Sequence, residues 1–142
     1  MSSTITVNQM KRLVQGIFNE EEFITGKQQT MKDLKNILYI AADGIGKSAI
    51  LDKQSDNLLE GRLGYYRFQL VNTELYCILT ITDKIRRIGL QIERFGDDFR
   101  LLCIHKIEVA YAKTHEIAPA IGYFLQQGLQ TSSLHWEAYK GE

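Results

Sequence analysis

The chain has 142 residues, enough to bury one hydrophobic core and too few for two well-formed ones, so residues 1–142 are expected to fold as one domain. Hydrophobic residues make up 44% of it and charged residues 24%, values that exclude the disordered, fibrous and low-complexity classes. Seventeen Lys and Arg balance seventeen Asp and Glu, so the broad positive field that draws proteins to nucleic acid or acidic membranes is absent, leaving room only for a local patch.

The start, Met1-Ser-Ser-Thr-Ile-Thr-Val-Asn8, carries no charged side chain before Lys11 and lacks the basic and apolar regions of a secretory signal. The longest apolar runs, at 37–42 and 76–81, fall far short of the ~20 residues a membrane-spanning helix needs. Cys77 and Cys103 lie far apart and outside any Cys-x-x-Cys spacing, which suggests neither a disulfide framework nor a zinc site. A cytoplasmic protein without metal or cofactor is expected.

In chain order, Val7, Met10, Leu13, Val14, Ile17 and Phe18 recur at three- and four-residue steps and predict a helix over 7–18. Glu20-Glu21-Glu22 and Gly26 mark an exposed end and a turn, followed by a second helical stripe of Met31, Leu34 and Leu38. Ile37-Leu-Tyr-Ile-Ala41 reads as a buried strand, whereas 43–61 mixes glycine, charge and amides without a clear period.

From Arg62 the period becomes two. With Asn72-Thr73 as a two-residue hairpin loop, Leu70 faces Leu75, Phe68 faces Cys77 and Tyr66 faces Leu79, all on one apolar face. A second turn pairs Asp83 with Ile88 and Leu79 with Ile92; a third, at Gly96-Asp97, pairs Ile92 with Leu101 and Leu90 with Cys103, in a strand running to about Val109. The three hairpins keep the same face apolar, and a one-residue slip at any of them would invert a strand. Ile117, Ile121, Phe124, Leu125 and Gly128 then follow helical spacing, with Pro119 acceptable in a first turn. Leu134 to Tyr139 alternates like a strand that adds to a sheet edge or pairs with a second copy. The expected fold is α+β, an antiparallel meander of about four to six strands against N-terminal and C-terminal helices.

Ala41-Ala-Asp-Gly-Ile-Gly46-Lys47-Ser48 fits a relaxed phosphate-loop pattern and resembles the Walker A motif of P-loop NTPases. The resemblance implies that backbone amides around Gly46 cradle phosphate, Lys47 pairs with it, Ser48 binds magnesium and Asp83, ending the apolar run 78–82, helps hold the metal. That family's parallel sheet needs crossover helices, whereas tight turns join the strands here.

Among acid–base candidates, His105 is placed on the inward face, in a row with Asp83 but about 10 Å from it by strand spacing. His115 sits at a strand-to-helix junction and His135 in the terminal strand, and none of the three has ligand spacing. Cys77 and Cys103 read as buried core thiols. Gly64-Tyr65-Tyr66-Arg67-Phe68 sets aromatics beside a cation, the chemistry of a single-stranded RNA platform, although Tyr66 and Phe68 are claimed by the core. Lys84, Arg86 and Arg87 form a basic turn.

By elimination the expected function is that of a non-enzymatic module that binds another protein, such as an inhibitor, immunity protein or adaptor, rather than nucleic acid or membrane. Tyr65, Arg67, Tyr76 and Ile78, on the face opposite the core, are the expected contact residues, because aromatic and Arg side chains are enriched at interfaces. The competing expectation is that they lie beneath the N-terminal helix.

Overall fold

The computed structural model describes residues 20–141, and their side chains from residue 28 onward. The helix expected over 7–18 lies outside the described residues. Helix α1 spans Glu20–Gly44 and is followed by seven consecutive strands: β1 Ile50–Ser55, β2 Leu58–Leu63, β3 Tyr66–Asn72, β4 Cys77–Asp83, β5 Ile88–Phe95, β6 Asp98–Cys103 and β7 Glu108–Ala112. Helix α2 spans Thr114–Gln127, and a two-residue strand β8, Glu137–Ala138, closes the order. The strands form one antiparallel sheet in sequence order β1 to β8, open at β1 and β8. Among the described residues the fold is α+β, with eight strands rather than the expected four to six.

Both described helices lie on one face of the sheet. Helix α1 packs against β3, β4 and α2, and α2 also reaches β6. The stretch 37–41 is helical, not a strand, because Leu34, Ile37, Leu38, Ala41 and Ala42 are buried at helical spacing while Ile40 points to solvent. Gly26 does not break α1. The unassigned segment 43–61 comprises the end of α1, the whole of β1 and the start of β2.

The sheet's inner face is a continuous apolar layer of Leu59, Leu63, Tyr66, Phe68, Leu70, Leu79, Ile81, Leu90, Ile92, Phe99 and Leu101, closed from the other side by Leu34, Leu38, Ile117, Ile121 and Phe124. The second and third hairpins have the predicted register, with Asp83 opposite Ile88, Leu79 opposite Ile92 and Leu90 opposite Cys103. The first does not. Its turn is 73–76, where the Thr73 hydroxyl accepts from the Leu75 and Tyr76 amides, so Leu70 faces Leu79 and Phe68 faces Ile81. The displacement is an even number of residues, so every side chain keeps its face.

Strand β6 stops at Cys103, and the chain turns over 104–107 instead of continuing to Val109. Leu134 to Tyr139 forms only the short β8, paired with β7. Pro119 is the sixth residue of α2, beyond the first turn, where it leaves the His115 carbonyl without an i+4 donor. Both ends of the helix are capped. The Glu116 carboxylate accepts the Lys113 amide at 2.9 Å, and Gly128 closes the helix in the left-handed region at φ 67°.

Candidate functional site

The outer face of the sheet carries no described helix. Over β2, β3 and β4 it presents Glu60 and Arg62, Arg67 and Gln69, and Thr80 and Thr82, which line a polar groove of about 730 Å³ together with Asp52, Lys53 and Lys84. Asp52 reaches the groove because β1 bulges between Leu51 and Lys53, adding one unpaired residue that bends the strand. The Asp52 carboxylate then accepts from Arg62 at 3.4 Å, and Glu60 accepts from Gln69 at 2.6 Å and sits 3.9 Å from Lys53. Arg62 and Arg67 stand directly opposite each other across β2 and β3, and Arg67 is opposite Thr82 on β4. Two like charges at opposed positions are unfavourable for the sheet. Arg67 and Lys84 make no ion pair with a described residue.

Of the four expected contact residues, Arg67 and Ile78 are on the outer face, although Ile78 pairs with Val71 rather than Arg67. Tyr65 is in the tight turn between β2 and β3, with 88% of its surface exposed. The register change removes Tyr76 from the strands and leaves it in the turn at the opposite end of β3, so it does not face Gln69. The expected four-residue cluster is therefore dispersed, and the groove residues Arg62, Gln69, Thr80 and Thr82 surround Arg67 in its place. The bulge that completes this groove had no signal in the sequence beyond Gly61, which pairs with Leu51 beside it.

The phosphate-loop segment has the reverse of the family's local order. Residues 41–44 end a helix, 45–49 turn, and Ile50 begins a strand, so no helix N-terminus follows Ser48. Lys47 extends over the β2–β3 turn, its Nζ within 3.3 Å of where a side chain at Gly64 would begin. Asp83 is committed elsewhere. One of its oxygens accepts from the Ile85 and Arg86 amides at 3.0 and 3.2 Å, and the other accepts from Arg86 Nε at 2.7 Å. Arg86 also donates to the Tyr66 hydroxyl at 2.8 Å, which donates to the Phe124 carbonyl at 3.1 Å near the end of α2.

This chain of bonds ties the β4–β5 turn to the core. The Arg86 hydrogen bonds hold the Asp83 carboxyl below its ordinary range, whereas desolvation raises the Tyr66 phenol and keeps it neutral. A depressed carboxyl adds stability above its unfolded-state range and loses it as pH falls through the folded value. In thermal melts across the acid range, Asp83→Asn should therefore have a lower midpoint at neutral pH and a shallower acid decline than wild type. Parallel declines would remove Asp83 from the acid response.

His105 is in the 104–107 turn, not in an inward row with Asp83; its Nδ1 accepts from the Gly89 amide at 3.4 Å and lies 3.6 Å from Cys103 Sγ. This Cys–His contact is not an activated pair. Cys103 is 1% exposed, and burial raises its thiol, so the nucleophilic thiolate is disfavoured. Cys77 and Cys103 are both buried in the core, as expected. Tyr66 and Phe68, 4% and 3% exposed, cannot stack on a base while the core is intact. Among the described residues, no group of three or more His, Cys, Asp or Glu could hold a metal ion, and no helix is long and apolar enough to cross a membrane. Compared with family models, curated proteins and solved structures, the chain gives no match.

Proposed function

We propose that this chain is a non-enzymatic protein-binding module, an inhibitor, immunity protein or adaptor, that meets its partner with the outer face of β2, β3 and β4. The supporting observation is Arg67, exposed in a polar groove opposite Arg62 and without an ion-pair partner among the described residues. A side chain that costs the sheet stability and makes no described ion pair is suited to pairing with another molecule. Neighbouring Gln69, Thr80 and Thr82 supply the hydrogen-bonding groups of a polar interface.

The test is capture of the partner from the native cell followed by titration of variants. Arg67→Ala should weaken binding by roughly 2 kcal/mol or more with the thermal midpoint unlowered, or raised by relief of the opposition to Arg62, and Arg67→Lys should restore only part of the binding, because lysine lacks the planar fork. Wild-type affinity in Arg67→Ala would remove the outer face from recognition.

A further inference from the structure

In a meander, alternate turns emerge at the same end of the sheet. The turns at 64–65, 84–87 and 104–107 share one end, and those at 56–57, 73–76 and 96–97 share the other. The first set contains Lys84, Arg86, Arg87 and Lys106 and no carboxylate; the second contains Asp56, Glu74 and Asp97 and no cation. The described turns of the sheet are thus segregated by charge, basic at one end and acidic at the other, although Lys113 meets Asp98 at the acidic end and Glu108 borders the basic one. Asp83 offsets the charge of Arg86, whereas Lys84, Arg87 and Lys106 have no described ion-pair partner.

The basic end also exposes large apolar side chains. Ile85 and Tyr65 are 90% and 88% exposed, and Ile107 is 60% exposed. Leu129, half exposed, joins them just beyond Gly128, which abuts Arg86 and Ile88. Two of these tips contain a second anomaly. Arg87 and Ile107, each the last residue of its four-residue turn, have φ of 58° and 54°, whereas every other described residue with positive φ is a glycine. A left-handed β-branched residue is strained, and glycine would relieve it. The strain held at Ile107, and the uncommon left-handed Arg87 beside it in the rim, point to a use for the side chains themselves.

We propose that this rim docks on an anionic membrane surface, with Tyr65, Ile85 and Ile107 entering the interfacial layer and Lys84, Arg87 and Lys106 meeting lipid headgroups. Successive tips are about 10 Å apart, two strand spacings, so their apolar side chains stand singly instead of forming the contiguous packed centre typical of a protein interface. A fluid bilayer accepts separate prongs, and its headgroups match the cations. Tyrosine suits the boundary layer. The Asp83–Arg86–Tyr66 bonds hold the central prong against the core. Docking end-on leaves the outer face of the sheet free apart from Lys84, which also borders the groove, and this inference does not depend on the protein-binding reading.

The experiment is co-sedimentation of the full chain with phosphatidylcholine vesicles made with and without phosphatidylserine. Binding is expected only with the anionic lipid and should weaken with added salt. Ile85→Ser should lower the partition coefficient at least tenfold, by roughly the loss of its buried carbons, and Lys84→Gln about fivefold. Leu75→Ser, at the acidic end, should bind as wild type. Ile107→Gly should raise the thermal midpoint while lowering vesicle binding, an opposition that a purely structural role would not produce. Equal binding to neutral and anionic vesicles, no binding, or wild-type binding by Ile85→Ser would overturn the proposal. So would a rim that captures a soluble protein but no lipid.

Discussion

Replacing Leu79 with alanine should destabilise the fold by roughly 2–5 kcal/mol, the range for emptying a fully packed aliphatic site. Leu79 has no exposed surface, faces Leu70 on one side and Ile92 on the other, and belongs to the layer beneath the helices. Its neighbours are held in the centre of the sheet by pairing on both sides, so they cannot readily collapse into the space. Leu90→Ala should behave similarly, since Leu90 is 2% exposed and pairs with both Ile81 and Cys103. Gln91, one residue along the same strand, points to the outer face, and its replacement by alanine should change stability by no more than about 0.5 kcal/mol. Urea denaturation of the three variants checks the ranking. A larger loss for Gln91→Ala than for Leu79→Ala would mean that the sheet has the opposite face buried.

The parity of the sheet was legible in the sequence because side-chain period two is a strong constraint and three successive hairpins had to satisfy it together. The exact offset of the first hairpin was not. Leu75 and Leu79 are both apolar and an even number of residues apart, so pairing Leu70 with either keeps the same face buried. What decided the matter was turn chemistry, with the Thr73 hydroxyl accepting two amides and closing a longer loop than Asn72-Thr73 suggested. The strand expected at 37–41 failed for a different reason. Its apolar run is continuous, and only when it is read together with Leu34 does the three-and-four spacing of a buried helical stripe emerge.

The site was less legible than the fold. Arg67 was identified from its face alone, but its opposition to Arg62 depends on the turn at 64–65, and the groove depends on the bulge in β1. Tyr76 was lost from the candidate surface through the same offset that spared the core: a shift harmless to burial moves a residue along the strand and into a turn. The segregation of turn charges likewise needs the topology, because alternating basic and acidic turns look evenly mixed along a linear chain.

Gly61→Ala is expected to be the most damaging small substitution at the sheet edge, costing roughly 1–3 kcal/mol or more through overpacking. Gly61 lies on the inner face between Leu51 of β1 and Phe68 of β3. A methyl group there would overlap the Ile50 carbonyl oxygen and come within 2.7 Å of Phe68 Cζ. The ring could move, but the carbonyl belongs to the β1 backbone, which approaches closely where the strand begins its bulge. Strain should therefore be released by detaching β1, whose side chains are exposed and contribute little to the core. Hydrogen exchange distinguishes this from general loss of stability: amides of β1 should lose protection in Gly61→Ala while those of β4 and β5 retain most of theirs. Shortening the ring with Phe68→Leu should not rescue β1, since the carbonyl overlap persists. Full protection of β1 in Gly61→Ala would show that the edge strand can shift to accommodate the methyl group, and that its close approach to β2 is not what requires glycine.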